Sequence, residues 1–418
     1  MIKKISLCAV LAIGLNASGY KVPEQSNDAV SLLSSNVATS FGPDAAYYNP
    51  ANMVFLPDYR HYFENDLAWF HINRLKFKAN DGKEITSTDF DSMATTFHFV
   101  SPSFYEDWRF GLSLAVPAGI GIGWDDPDAA FTGKLFKLKV VELNPSVAYR
   151  LSDTIGVGVG LRAVYTKGKV VTEVYGLGDR HLKGDSVDYG YNLALSYKPT
   201  ENLAFAATYR SKVDLSIKGD AHISGGAAFN ALVGTYDGAV SVKIPLPAAL
   251  VLATSYKIND TTLLFAYERT FWSDFKGYDF EYSGNKPQTI YFQRLFDDKV
   301  ERNYRDTNTF RFGVNHDLNK KYRIMGGFVY DEKAAKDSRS ASFDLPDTKA
   351  YAFSLGLNYQ ATENLELNVG GLYQYRKKSE ATLKGADLSR GVPAPKEIKG
   401  EFDTGNVWII SSGLKYKF

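Results

Sequence analysis

The sequence predicts an all-β protein: a transmembrane antiparallel β-barrel of about fourteen strands, with an N-terminal segment folded into the lumen. Three observations predict it. Long stretches alternate apolar and small or polar residues with a period of two. Seven alternating runs end on Tyr105, Tyr149, Tyr197, Tyr256, His316, Tyr359 and Tyr416. Tight polar turns then alternate with longer excursions, as the two rims of an up-and-down barrel do.

The chain opens on a basic pair, Lys3 and Lys4, an apolar stretch over 5–15 and the small residues Ala17-Ser18-Gly19. That pattern is a secretory signal peptide, 1–18, with the cut after Ala17 or Ser18. The stretch is too short to cross a hydrocarbon core of roughly 30 Å as a helix. The single cysteine, Cys8, leaves with it, so the mature chain is expected to hold no disulfide.

Residues 19–56 do not alternate. Gly42-Pro43-Asp44 and Asn49-Pro50-Ala51 break any regular element. The run from Val30 to Val37 suits one or two helical turns. Apolar Val30, Leu32, Leu33, Val37 and Phe41 argue for packing inside the barrel rather than hanging in the periplasm. The expected organisation is therefore 1–18 signal, 19–56 inner plug or hatch, and 57–418 barrel.

In the barrel region, Tyr189, Tyr191, Leu193, Leu195 and Tyr197 oppose Gly190, Asn192, Ala194 and Ser196. Trp408, Ile410, Leu414, Tyr416 and Phe418 share a face opposite Ser411, Gly413, Lys415 and Lys417. Aromatic ends around an aliphatic middle are what a lipid-facing strand carries. Each of the seven marked residues closes an even-numbered strand. Turns such as Glu106-Asp107, Ser152-Asp153 and Asn259-Asp260 follow six of them. The longer excursions are 176–186, 218–236, 275–306, 333–347 and 379–400. The terminal aromatic, Phe418, is what outer-membrane assembly machinery reads. These features place the chain in the outer membrane of a Gram-negative bacterium; a monomer is expected.

Composition narrows the function. The 418 residues carry 48 basic and 47 acidic side chains, a net charge of +1, so no field draws in nucleic acid. No two of the six histidines stand three to five residues apart, so no metal pair is expected. Gly156-Val157-Gly158-Val159-Gly160 lies in strand alternation, not at a helix start, and is no phosphate loop. Neither catalytic residues nor a cofactor are expected.

Two segments carry a family resemblance. One is Gly19-Tyr20-Lys21-Val22-Pro23-Glu24-Gln25-Ser26; the other is Asp44-Ala45-Ala46-Tyr47-Tyr48-Asn49-Pro50-Ala51-Asn52-Met53. They resemble the start of the long-chain fatty-acid transporters of outer membranes, the FadL/TodX family, with Asn52 where members usually have Gly. Ile244-Pro245-Leu246-Pro247, Trp272-Ser273-Asp274-Phe275 and Leu345-Pro346-Asp347 are similar to later family segments. Lys349 and Ala350 depart from it, as does the lack of proline between 332 and 340. The resemblance implies a barrel closed by a hatch. Its ligand, a long-chain fatty acid or similar hydrophobic compound, is caught at the outer loops and held above the hatch. It leaves sideways into the membrane lipid, past a kink in the third strand.

These readings select residues. Tyr20, Glu24, Tyr47, Tyr48, Asn49, Pro50 and Ala51 belong to the hatch. Pro117, Gly119, Gly121 and Gly123 follow the outward-facing Phe110, Leu112, Leu114 and Val116. Proline and glycine there weaken the ladder, so they mark either a lateral opening or an ordinary bulge. Parity puts Arg162, Arg210, Arg311 and Arg323 in the lumen with Glu142, Glu268 and Glu366. Arg162 and Lys167 are candidate head-group partners, although Lys167 shares parity with the lipid-facing Tyr165. The apolar loop 224–235 offers Phe229 and Leu232 as ligand contacts, or else a short helix resting on the rim. The alternatives are a water-filled porin, which has no use for an apolar inner segment, and an outer-membrane lipid-modifying enzyme.

Overall fold

The computed structural model describes residues 19–57, 59–387 and 394–418; the expected signal segment, 1–18, lies outside them. The wall strands are β1 (Tyr62–Ile72), β2 (Phe90–Val100), β3 (Trp108–Gly123), β4 (Leu135–Ser152), β5 (Ile155–Val174) and β6 (Gly178–Tyr197). β7 runs Leu203–Arg210 and resumes at Val213–Gly225; β8 runs Tyr236–Leu246 and resumes at Ala249–Ile258. Then come β9 (Thr261–Thr270), β10 (Thr307–Asp317), β11 (Tyr322–Asp331), β12 (Ala350–Gln360), β13 (Leu365–Arg376) and β14 (Val407–Lys417). Every neighbour is antiparallel, and β14 closes on β1 with Tyr62 opposite Lys417. The wall is a closed barrel of 14 strands. Closure pairs the backbone polar groups that lipid cannot satisfy.

The period of two has the expected outcome. Leu193, Leu195, Tyr197, Trp408, Ile410 and Tyr416 are exposed on the outside, while Asn192, Ser196, Ser411 and Lys415 are buried inside. Two excursions are shorter than the sequence suggests. β5 and β6 run to Val174 and from Gly178, so most of 176–186 is strand, not loop. The connection after β7 shrinks likewise, because its strand reaches Gly225. Both regions alternate weakly, with lysine, aspartate and glycine where apolar residues would be. The backbone pairing extends regardless, beyond the apolar band.

The outer loops form a cap. Leu75–Ala79, Glu84–Thr86, Ser379–Asp387 and Ala394–Thr404 make a separate four-stranded sheet. Trp124, Phe77, Phe343 and Phe402 pack together beside it.

Residues 19–56 fill the lumen, with α1 (Asn27–Leu32), α2 (Ala45–Tyr48) and a 3-10 turn (Pro50–Phe55). Wall side chains hold this hatch. Arg109 donates to the carbonyls of Met53 and Leu56 at 2.7 and 2.8 Å, capping the end of the 3-10 turn. Arg150 reaches the Val54 carbonyl, and Lys415 pairs with Asp28 and Glu366. The lumen-facing glycines of β5 now have a reason. A Cβ at Gly158 would stand 2.6 Å from the Ala51 nitrogen, and one at Gly156 would stand 2.6 Å from its oxygen. The Asn-Pro-Ala turn lies with its backbone directly on the wall.

Gly158→Val should therefore lift this turn while the wall, paired elsewhere, still closes. The unheated protein should keep its fast migration on a detergent gel. Its N-terminal segment should become sensitive to protease. Protease resistance equal to wild type would contradict the close docking.

Candidate functional site

The site begins where β3 leaves its neighbour. β2 and β3 pair from Val100–Gly111 to Phe97–Leu114 and then separate. They meet again only at the top, where Thr88 N–H donates to the Gly123 carbonyl at 2.9 Å and Ser87 bridges Trp124. Between these points is a window in the wall. On its other edge β3 stays paired with β4, with a bulge between Ala115 and Ala118. Pro117 sits in that bulge, one of the places where a strand tolerates proline. The bulge turns the strand inward, so residues 115–123 are buried on both faces. Val116, expected to face lipid, is buried for this reason.

The free edge of β3 needs hydrogen-bond partners, and the hatch supplies them. Val22 N–H donates to the Pro117 carbonyl and Gly119 N–H to the Tyr20 carbonyl, both at 2.8 Å. The Gln25 amide accepts from Val116 N–H at 2.6 Å and donates to its carbonyl at 3.0 Å. The N-terminal segment thus takes the place of β2 on this stretch of β3. Tyr20 anchors it: its hydroxyl donates to the Pro245 carbonyl, and its ring meets Trp272 edge-on at 5.3 Å.

Two buried charge groups lie against the segment. Glu142 on β4 pairs with Arg162 on β5, at 2.9 Å, and with Arg210 on β7. Arg210 also stacks over the Tyr47 ring at 4.2 Å. Glu268 on β9 pairs with Lys21 of the hatch and with Arg311 on β10. Each group sets two cations on one carboxylate, and removing a partner from such a buried cluster is costly. Lys21, Tyr47, Tyr48, Pro117, Arg162 and Arg210 line a chamber of about 80 Å³ above the hatch.

A larger cavity, about 370 Å³, opens between the outer loops. Of the two, only this one has the volume usual for a bound small molecule. Its wall includes Phe131, Phe136, Phe280, Phe296, Arg302 and Arg180. Arg302 pairs with Asp344 at 3.1 Å. Arg180, on β6, is 7% exposed and lies between the rings of Phe280 and Phe296, at 4.9 and 5.3 Å. It donates to the Tyr282 hydroxyl and the Phe296 carbonyl at 3.1 and 3.2 Å. Its Nε finds no acceptor, and no carboxylate pairs with it among the described residues. Below it on the same face, Leu182 lines a small apolar slot with Phe136, Val170 and Ile217.

The residues expected from sequence divide as follows. Tyr20, Tyr47, Tyr48, Pro117 and Arg162 come to the chamber or the window. Asn49, Pro50 and Ala51 are buried against β5 and line neither cavity; the Asn49 amide donates to Val37 and Ser196, both at 2.8 Å. Phe229 and Leu232 belong to a rim helix, α3 (Ala227–Val233), with Phe229 packed behind Phe296 rather than on the cavity. Lys167 is exposed on the outer face, because no bulge turns it inward. Arg180 was not found, since its segment reads as loop and parity was not applied to it. Its two-residue spacing from Leu182 was the available signal.

This is a plugged outer-membrane barrel with an outer cavity, an inner chamber and a gap in the pairing of its wall: a transporter architecture for hydrophobic compounds. Residues 8–418 match the family of outer membrane protein transport proteins (OMPP1/FadL/TodX), and the chain belongs to that family. A long-chain fatty acid transport protein of Escherichia coli O6:H1 is 25% identical over 402 residues, covering 85% of this chain and 83% of that protein. The crystal structure of a Pseudomonas aeruginosa FadL homologue is 20% identical and superposes with a TM-score of 0.82, covering 96% of this chain and 99% of its own. The Ralstonia pickettii toluene transporter TbuX superposes at 0.68 with 18% identity over 96% of this chain and 99% of its own. The protein is an outer-membrane transporter of hydrophobic compounds.

Within the hatch, burial pushes the Glu24 carboxyl up to about 7, with Arg311 pulling against it. Released from the lumen, it would return towards its ordinary 4.5. The docked state therefore holds the extra proton. Its stability is whole below the lower value and is lost as pH rises towards the upper one, by up to about 3 kcal/mol. Conductance in planar bilayers should rise over that window in wild type. Glu24→Gln should flatten the rise; an unchanged pH profile would contradict the assignment.

Proposed function

We propose that the protein takes up long-chain fatty acids and similar hydrophobic molecules passively, and releases them sideways into the membrane lipid through the window between β2 and β3. The carrying observation is the loss of pairing above Phe97–Leu114. A wall built only to enclose water would have no reason to break its ladder there. The filled lumen also speaks against a general porin.

In this reading the outer cavity captures the ligand. A carboxylate head group pairs with Arg180, whose own hydrogen bonds and ring contacts are to uncharged groups. The tail lies against Phe131, Phe136, Phe280 and Phe296 in the same cavity. The chamber as it stands is too small for a long chain. Passage therefore requires the Tyr20–Val22 stretch to leave β3, which opens the window from inside. The named relatives carry fatty acids and toluene, so the charged head distinguishes two ligand classes at one cavity.

Two measurements test this. Arg180→Gln should lower uptake of a labelled long-chain acid at limiting concentration by about tenfold or more, the range of a lost charged hydrogen bond. Uptake of a neutral hydrocarbon should not change; equal effects on both would remove Arg180 from head-group binding. Gly119→Val with Gly121→Val should fill the window and favour regular pairing. Cells with equal amounts of folded protein should then take up less of either ligand. Undiminished uptake would mean an exit through the periplasmic end.

A further inference from the structure

The outward faces of β4 to β7 change character at one level. Val141, Tyr165 and Val187 stand in register across β4, β5 and β6 and close the apolar band. From Tyr197 up to Val187 on β6, the exposed residues are tyrosine, leucine and valine throughout. Ten residues at about 3.3 Å each, tilted by about 45°, span roughly the 25 Å of a barrel's lipid-facing band.

The next two rows are basic. In the first, Lys139 of β4 faces Lys167 of β5, which faces Asp185 of β6, which faces Lys218 of β7. In the second, Lys137 faces Lys169, which faces Lys183, which faces Asp220. Six lysines thus meet two aspartates. Lys183 pairs with Asp220 at 3.6 Å, between side chains more than 70% exposed. Like charges directly opposite on a ladder destabilise it. The Lys137–Lys169 and Lys169–Lys183 contacts would both be relieved by an anion from outside.

We propose that this patch binds the phosphate groups of outer-leaflet lipid, seating phosphorylated glycolipid against the barrel. Position selects the source. The lysines stand directly above the apolar band, so a lipid whose chains lie along Val141, Tyr165 and Leu143 brings its phosphorylated head to their level. A soluble anion would gain nothing from those apolar neighbours. This gives Lys167 a role on the outer surface, independent of the transport route. It also accounts for the length of β5 and β6, 20 residues each, which carry pairing past the apolar band.

The test uses the full-length folded barrel in neutral detergent with diphosphoryl lipid A as probe, its binding read by native mass spectrometry. Wild type should retain the lipid in a salt-sensitive manner. Lys167→Gln/Lys169→Gln/Lys183→Gln should weaken binding at least tenfold, and the corresponding triple Arg variant should restore it. A control triple at the opposite rim, Lys257→Gln/Lys320→Gln/Lys321→Gln, should bind as wild type does. Heat-dependent gel migration verifies that each variant is folded. Equal binding by wild type and the Lys167/Lys169/Lys183 triple would overturn the proposal. So would equal retention of the lipid after its phosphates are removed, or displacement of the lipid by inorganic phosphate at equal charge concentration no better than by chloride.

Discussion

The unpaired edge of β3 is the constraint from which the rest of this structure follows. In lipid, a strand cannot leave its neighbour without stranding its amides and carbonyls. β3 does leave β2, and it survives because the bulge at Val116-Pro117 turns it inward, where protein rather than lipid surrounds it. The hatch then supplies the missing partners through Tyr20, Val22 and Gln25. Window and plug are therefore one device. Each requires the other's backbone to be satisfied, so displacing the N-terminal segment would leave this edge of β3 unpaired.

The charges in the lumen extend that coupling. Lys21 of the hatch meets Glu268 and, through it, Arg311; Tyr47 meets Arg210 and, through it, Glu142 and Arg162. These groups line the chamber above the hatch. A ligand that displaced Lys21 would leave Glu268 with one cation in place of two. The groups thus hold the segment without locking it. Asn49, Pro50 and Ala51 behave differently. They pack onto the bare backbone of Gly156 and Gly158, whereas the stretch around Tyr20 pairs with the edge of β3.

Much of this was legible in the residues. The C-terminal alternation of Trp408 to Phe418 gave the correct inward and outward sets, and the seven aromatic-closed runs gave the strand number. Parity brought Arg162, Arg210, Arg311, Glu142 and Glu268 to the lumen, where they are paired. Pro117 and its glycines marked the place where β3 departs. Parity failed at Val116, because it lies in a bulge that turns the strand inward, where both faces are buried. It was not applied between 176 and 186, where the lysines and glycines of extended strands look like loop. Arg180 was lost there.

Local order was thus determined by the sequence alone: the period of two, the breakers and the lengths of the turns. These need only neighbours along the chain. Which groups oppose each other was decided by closure of the barrel. A period-two pattern says which face a residue takes but not which residue of another strand stands opposite. Only the closed register put Arg180 between Phe280 and Phe296, from a loop 100 residues further on, and left it without a carboxylate. Only that register set lysine against lysine above the apolar band. The hatch could be expected inside, but its contact with β3 exists only because the wall is bent to meet it.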